Sequence, residues 1–372
     1  MRFGNRYASL EHLACVCACA LSFSRGFLRD AGLSVTLNIV KQSEYKSTAI
    51  CILGMHRSGT SILTRTINLL GPYLGEEAKI CQCGPDNPTG FWEHLDICDF
   101  HFRLLKQFNR TWDTAAPLPD QWHKSGAIRP FKEELIKLVK TRFDGRPLWA
   151  WKDPRTCLFM PLWREALDEL GIRLVCVFVT RNPMDVACSL NRRDSVPPGK
   201  ALGVWFNYNL AALRDTAGVP MAFVGYEQFL SNWETELRRC ATAIGLDWPE
   251  DEQQLREAMT RFIRPDLCHN RSSITDLQGA PHPVQELYRL LNESGTGSAA
   301  RDKNFDETVN RLAFDFQAYA SFFPMGVLEP RPGRVKRTWQ RWQKSFRKRF
   351  RIPNISAHPR QDNRARATEP SS

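Results

Sequence analysis

The chain has 372 residues, of which 42% are hydrophobic and 24% are charged, the composition of a soluble globular protein with one large or two small domains. Its net charge of +11 lies almost entirely near the end of the chain, because residues 334–351 hold nine Lys and Arg and no acid. The rest of the chain is close to neutral. This distribution argues against a nucleic-acid-binding surface spread over a folded domain.

The cysteines and the N-terminal segment indicate in which cellular compartment the protein is expected. The twelve cysteines are dispersed without zinc-site spacing, and several (Cys51, Cys157, Cys176, Cys188) lie in apolar runs, where cysteine is usually buried, which favours a reducing compartment. Residues 1–46 have a basic start and a short apolar run, which resembles a weak secretory signal; an N-terminal extension is the alternative. That run is about half as long as a membrane span, and no other stretch could cross a bilayer.

Repeated strand–loop–helix units predict an α/β fold with a P-loop-like, three-layer domain, in which helices flank a central parallel sheet and a helical C-terminal part follows. The predicted domain spans 47–325, between the N-terminal extension and a tail at 326–372. The predicted strands are 47–53, 147–152, 173–180 and 220–224. The predicted helices are 62–70, 93–108, 131–143, 158–170, a segment from Pro183, 201–216 and 226–244, and 251–322 is mostly helical.

The first functional motif is the loop Gly54-Met55-His56-Arg57-Ser58-Gly59-Thr60-Ser61, between the first strand and its helix. Backbone N–H groups at a helix N-terminus bind anions, and the two glycines allow the backbone to approach closely. A nucleotide triphosphatase loop has Lys where Thr60 stands, so phosphate or phosphosulfate binding without the usual magnesium geometry is favoured. Side-chain donors come from Arg57, Ser58, Thr60 and Ser61.

The second motif, Arg181-x-Pro183-x-Asp185-x-x-x-Ser189, follows the most strongly predicted strand, 173–180. Arg181 offers a planar, permanently charged group to a phosphate, and the Ser189 hydroxyl in the next helix can donate to the same phosphate. Ligands bind at the carboxyl ends of parallel strands, where both motifs lie. Two separate anion sites on one sheet suit a nucleotide phosphorylated at both ends.

Together the two motifs resemble the cofactor signatures of the PAPS-dependent sulfotransferases, over residues 48–246. The resemblance implies that the first loop holds the phosphosulfate of PAPS (phosphoadenosine phosphosulfate), that Arg181 and Ser189 hold the phosphate on the ribose, and that Tyr226 lies near the cofactor. Arg57, where cytosolic members usually have Lys, is similar to the tyrosylprotein sulfotransferases and to many bacterial members. The resemblance to the sulfotransferases places Arg57 beside the bond that breaks during sulfuryl transfer, and it implies no metal.

The resemblance also suggests catalytic residues. Lys152 is similar to a Lys of the tyrosylprotein enzymes that contacts the moving sulfuryl group, where a cation offsets developing negative charge. Sulfuryl transfer to a hydroxyl needs a base. Glu77 matches the base of the tyrosylprotein enzymes, Glu93 matches a Gly-aromatic-Glu element of bacterial relatives, and His94 could also serve. Glu93 is slightly favoured, because the adjoining aromatic residues could desolvate it.

The acceptor is expected to be a hydroxyl of a glycan or lipid-linked saccharide, bound largely by the aromatic-rich segment 91–122. Arg264 and Arg271 are candidates to close over the nucleotide. The tail 334–351 has the pattern of a basic amphipathic helix, which either lies on an anionic membrane or packs on the domain. We therefore expect a cytoplasmic protein, with peripheral membrane contact left open. The alternatives are a P-loop small-molecule kinase and a non-catalytic, membrane-associated nucleotide-binding protein.

Overall fold

The structure is a computed structural model that describes residues 45–81, 87, 90–263, 274–296 and 301–322. Three features of the sequence lie outside the described residues. They are the N-terminal extension up to residue 44, the arginines Arg264 and Arg271, and the basic tail. None of the helices within the described ranges combines the length and the apolar character that a bilayer span requires.

A four-stranded parallel sheet forms the centre of the fold, and this confirms the predicted α/β class. The spatial order of the strands is β2-β1-β3-β4, so the first strand in the chain lies in the interior of the sheet. All four strands therefore end at the same edge, where the predicted motifs begin. The strands are β1 (Ser47–Leu53), β2 (Leu148–Lys152), β3 (Ile172–Thr180) and β4 (Met221–Gly225).

Helices cover both faces of this sheet, as the apolar runs of the strands require. Alternate residues of β1 point to opposite faces, so Cys51 and Leu53 join one core cluster and Ile50 and Ile52 join another. The described α-helices are α1 (Thr60–Leu69), α2 (Leu95–Gln107), α3 (Arg129–Phe143), α4 (Thr156–Glu169), α5 (Pro183–Asp194), α6 (Pro198–Asp215), α7 (Tyr226–Ser231), α8 (Trp233–Ile244), α9 (Glu252–Phe262), α10 (His282–Thr296) and α11 (Lys303–Phe322).

The two faces are covered by different helices. Apolar residues of α1, α8 and α9 pack on the face formed by Ile50 and Ile52. The opposite face carries the larger cluster, which includes buried residues of α2, α3, α4, α5, α6, α10 and α11. The result is the predicted three-layer arrangement, with the sheet in the middle.

Two details of the sequence prediction are wrong. The single helix predicted over 226–244 is broken at Asn232, whose backbone leaves the helical region (φ −147°) and whose side chain accepts a hydrogen bond from Thr235 N to start α8. Cys188 is exposed because its neighbours Ala187 and Ser189 take the inward positions of α5. The other described cysteines are buried, and all seven in these ranges are free thiols.

Candidate active site

The loop between β1 and α1 has the sharp turns that its two glycines predict. Gly54 has φ +138°, and a Cβ there would lie 2.4 Å from the Val179 carbonyl oxygen of β3. Gly59 has φ +92°, and a Cβ there would lie 2.2 Å from the ring of Tyr226. The first glycine thus lets the loop pack against the neighbouring strand, and the second lets the tyrosine ring pack on the loop.

Some hydrogen-bond donors at the end of this loop have no partner among the described residues. Gly59 is the N-cap of α1, and among the described residues no side chain caps the N–H groups of this helix. The Ser58 hydroxyl is buried and has no hydrogen-bond partner within the described ranges. A buried donor of this kind needs an acceptor.

Arg57 links the loop directly to the second motif. Its Nε donates to the Ser189 hydroxyl at 2.8 Å, and Arg181 Nη1 donates to the Arg57 carbonyl oxygen at 3.2 Å. The two motifs therefore contact each other, although they lie far apart in the sequence. The reason is that β1 and β3 are adjacent in the sheet, so the residues following them meet.

Arg181 is held on several sides. The ring of Tyr226 lies 4.5 Å from its guanidinium carbon, and the carboxylates of Glu227 and Asp185 lie 3.8 and 4.0 Å from its nitrogens. Burial raises the pKa of Glu227 above its ordinary value. Tyr226 contacts both Gly59 and Arg181, and so lies at the junction of the two motifs, as expected from its position after β4. Thr180, which the sequence reading missed, has a buried hydroxyl without a described hydrogen-bond partner beside Arg181.

Lys152, Glu93 and Ser61 meet at the end of β2. Lys152 is 1% exposed; its Nζ donates to Glu93 Oε1 at 2.8 Å and to the Ser61 hydroxyl at 3.2 Å. The Cys98 thiol lies 3.5 Å from the other oxygen of Glu93. An ammonium group and a carboxylate therefore lie directly beside the β1–α1 loop, an arrangement that can carry out acid–base chemistry.

The other two base candidates have different surroundings. Glu77 lies in an exposed 3₁₀ turn, Glu77–Lys79. His94 is the N-cap of α2, and its Nδ1 accepts a hydrogen bond from Asp96 N at 3.3 Å. Burial lowers the pKa of His94 to about 4, so the ring is neutral near pH 7. Of the three candidates, only Glu93 contacts Lys152 in the described structure.

A buried network behind Lys152 was not predicted. Trp163 Nε1 donates to His101 Nε2 at 2.9 Å, so His101 carries its proton on Nδ1 and donates it to Asp153 Oδ2 at 2.9 Å. The other oxygen, Asp153 Oδ1, accepts from Arg155 Nε at 2.8 Å. Although burial alone would raise the pKa of Asp153, Arg155 and His101 hold it well below its usual range. The sequence feature that could have indicated this network is the pair of charged residues, Asp153 and Arg155, directly after the buried strand β2.

His56 lies inside the loop, and the sequence motif assigned it no role. Its ring centroid lies 5.1 Å from that of Trp112 and 5.7 Å from that of Tyr208. The Tyr208 hydroxyl donates to the Trp112 carbonyl oxygen at 2.7 Å and so fixes this part of the 91–122 segment against the loop. Burial, with the charge of Arg155, lowers the pKa of His56 well below its ordinary value.

Comparisons with known proteins give structural similarities with low TM-scores, among them two to sulfotransferase domains. No protein-family model and no curated relative matches the chain. A sulfotransferase domain from the Synechococcus PCC 7002 olefin synthase has a TM-score of 0.35 and 20% identity, covering 72% of this chain and 96% of that domain. A sulfotransferase domain from the curacin biosynthetic pathway has a TM-score of 0.33 and 13% identity, covering 73% of this chain and 98% of that domain. At these TM-scores the similarity does not establish the family of the chain.

Proposed function

We propose that this protein is a sulfotransferase that moves a sulfuryl group from PAPS to an acceptor hydroxyl. The observation that carries the proposal is the contact of Arg57 with Ser189, together with that of Arg181 with the Arg57 carbonyl oxygen. These contacts join the loop that resembles a phosphosulfate-binding loop to the pair Arg181 and Ser189, which resembles a phosphate-binding pair. Both lie at one edge of a parallel sheet. A nucleotide with phosphates at both ends has the charge distribution that fits such a site.

The residues present fit PAPS, and the loop has Thr60 where a nucleotide triphosphatase loop has its phosphate-binding Lys. The uncapped N–H groups at the start of α1, the buried Ser58 hydroxyl and Arg57 would hold the phosphosulfate. Arg181 and Ser189 would hold the ribose phosphate, with Tyr226 beside them. Bound there, PAPS supplies an activated sulfuryl group.

Lys152 and Glu93 are the residues that we assign to the chemical step. The Lys152 ammonium lies against Ser61 of the loop, so its charge stabilises negative charge that develops on anionic oxygens there. A carboxylate has about four acceptor positions, and the contacts of Glu93 with Lys152 and Cys98 leave room for an acceptor hydroxyl. Glu93 would take the proton of that hydroxyl as the nucleophile forms.

The acceptor is proposed to be a sugar hydroxyl, in a glycan or lipid-linked saccharide. The support is the position of Trp112, whose ring lies beside His56 of the loop and gives a flat apolar surface next to the proposed donor site. Aromatic faces of this kind suit the apolar faces of sugar rings.

Calorimetric titration of the purified full chain with desulfated PAPS and, separately, with ATP and magnesium tests the proposal. We expect the desulfated PAPS to bind more tightly, because both motifs contribute charge-assisted hydrogen bonds to it. Tighter binding of ATP would favour a small-molecule kinase and would overturn the proposal. Binding of PAPS with no transfer to any acceptor would favour a non-catalytic nucleotide-binding protein.

A further inference from the structure

Arg155 is a buried arginine whose hydrogen bonds engage only one side of its guanidinium group. The residue is 4% exposed, and its Nε donates to Asp153 at 2.8 Å. Its guanidinium carbon lies 3.8 Å from the ring centroid of Phe102, so the group is fixed in its plane. The two terminal nitrogens make no hydrogen bond to any residue within the described ranges. An arginine with a purely structural role normally has these donors satisfied by carbonyl or carboxylate oxygens.

Asp153, which accepts from Arg155 Nε, cannot rotate to accept from the terminal nitrogens of Arg155 as well. Asp153 is fully buried, and its second oxygen is already held by His101 Nδ1 at 2.9 Å. The tautomer of His101 is in turn set by Trp163. The network thus holds Arg155 by its Nε and leaves the fork of terminal nitrogens available to a ligand.

The surroundings of Arg155 contain charges of both signs and aromatic rings. The carboxylates that act electrostatically on Arg155 itself are those of Asp153 and Glu93. The groups that act electrostatically on the neighbouring His56 are the cations Arg155, Arg193 and Lys152 and the anion Asp153. Burial and these cations keep His56 neutral, and its Nε2 is buried without a hydrogen-bond partner in the described structure. Trp112 lies against His56 and within 5.8 Å of the Arg193 guanidinium carbon. Arg155 acts electrostatically on His56, and the ring of His56 packs against Trp112. Unused terminal donors on an arginine in this position indicate an anionic ligand that carries a ring.

We propose that Arg155, His56 and Trp112 form an acceptor subsite that selects a sugar bearing a carboxylate or phosphate group. The planar fork of Arg155 matches two oxygens of such a group, which is the geometry of bidentate arginine recognition. His56 supplies a neutral hydrogen-bonding ring, and Trp112 supplies the surface for the sugar. This inference rests on the proposed function, and it narrows the acceptor from saccharides in general to acidic ones.

Binding of two matched sugar pairs to the full chain, with and without saturating desulfated PAPS, tests this assignment. The first pair is para-nitrophenyl glucuronide and para-nitrophenyl glucoside, which differ in one carboxylate. The second pair is glucose with a phosphate on its primary hydroxyl and glucose itself, which separates the two sources of negative charge. We expect the charged member of at least one pair to bind at least about tenfold more tightly, the effect of one charge-assisted hydrogen bond.

Variants of Arg155 test whether this residue causes the preference for charged sugars. We expect R155Q to abolish the preference and R155K, which keeps the charge but loses the fork, to keep only part of it. W112A should weaken charged and neutral sugars alike. The control is R103Q, which removes a partly exposed arginine of α2 that pairs with Glu134 and Asp99. Should R155Q fail to fold, loss of part of the preference in folded R155K carries the same conclusion.

This experiment distinguishes failure of the acidic-acceptor subsite from failure of the sulfotransferase proposal. Equal binding within both pairs, including no measurable binding of any sugar, overturns the acidic-acceptor subsite while desulfated PAPS still binds. A loss of desulfated-PAPS affinity in R155Q assigns Arg155 to the donor site and overturns the subsite as well. If desulfated PAPS itself does not bind to the unaltered chain, the sulfotransferase proposal fails, and the subsite fails with it.

Discussion

Arg57 connects the two halves of the candidate site through both its side chain and its backbone. It has φ +70°, a left-handed conformation that costs a non-glycine residue about 1 kcal/mol. Its side chain contacts Ser189 while its carbonyl oxygen accepts from Arg181. Because the carbonyl contact survives truncation of the side chain, Arg57→Ala should remove one ligand contact and still leave Arg181 in position.

Each of the variants R57A and R181A should weaken desulfated-PAPS binding. The expected loss is about 1.5–3 kcal/mol for each, the contribution of a hydrogen bond to a charged group. Isothermal titration calorimetry measures it. R129A is the matched control, since Arg129 is an exposed arginine whose contact with Glu133 lies within one helix. Unchanged affinity in both site variants would contradict the assignment of the loop and of the second motif.

Activity measurements on variants can show which of the two candidate bases, Glu93 or Glu77, takes the acceptor proton. If Glu93 takes the acceptor proton, E93Q should lower kcat by roughly a hundredfold to ten-thousandfold, the range for loss of a general base. E77Q should keep nearly the activity of the unaltered chain, because Glu77 lies in an exposed turn. Transfer of radiolabelled sulfate from PAPS gives both rates. The reverse pattern would move the base to Glu77, and two fully active variants would exclude both glutamates.

At the level of elements, α7 contacts both motifs through the ring of Tyr226. Tyr226 is the first residue of α7 and follows β4 directly, and the break at Asn232 separates this short helix from α8. The Tyr226 ring covers Gly59, the N-cap of α1, and lies under Arg181. The glycine at the N-cap is therefore required by a neighbouring element as well as by its own backbone conformation.

Gly59→Ala should destabilise the protein more than Gly71→Ala. Both glycines have positive φ, +92° and +114°, but an added Cβ at Gly71 meets no described atom within 4 Å, whereas one at Gly59 overlaps the Tyr226 ring. The expected difference in unfolding free energy is at least about 1 kcal/mol, the lower end of overpacking costs. Urea denaturation measures it. Partial rescue of G59A by Y226A would confirm the ring as the cause, and equal losses for the two alanine variants would refute it.

At the level of the whole molecule, the order of the strands arranges the site. From β2 to β4, the sheet edge presents Lys152, the anion-binding loop, Arg181 and Tyr226 in sequence. The proposed transfer chemistry thus lies toward one side of the loop and the ribose-phosphate contacts toward the other. This spatial order follows from the β2-β1-β3-β4 topology and not from the order of the residues along the chain.

The sequence predicts the local elements well and the long-range contacts poorly, for physical reasons. Buried parallel strands are continuous apolar runs, so β1 has the bounds that were predicted, and Pro183 marks the start of α5. The pairing of Arg57 with Ser189, 132 residues later, depends on which strands are adjacent. The network of Trp163, His101 and Asp153 joins α4, α2 and the end of β2 and leaves no periodic signal. Nothing local in the sequence distinguishes buried His101 from a surface histidine.

The buried histidines make the stability of the whole domain depend on pH. The pKa of His94 is lowered to about 4 by burial, from an ordinary value near 6.5. Between these values the unfolded chain binds a proton at this position that the folded chain does not, so stability falls as the pH decreases from about 6.5 toward 4. His56 and His101, whose pKa values are also lowered by burial, act in the same direction. Protonated carboxylates add to the loss at lower pH.

His94→Asn isolates one part of this dependence. Asparagine is a good N-cap, so the variant should keep the hydrogen bond to Asp96 N while it removes the titrating ring. We expect H94N to lose less stability than the unaltered chain between pH 6.5 and pH 4, by at most roughly 3 kcal/mol from the pKa difference. Urea denaturation across this range measures the effect, and H123N, which removes a partly exposed histidine, is the control. If H94N and H123N had the same pH dependence as the unaltered chain, His94 would not be the buried neutral cap that the structure describes.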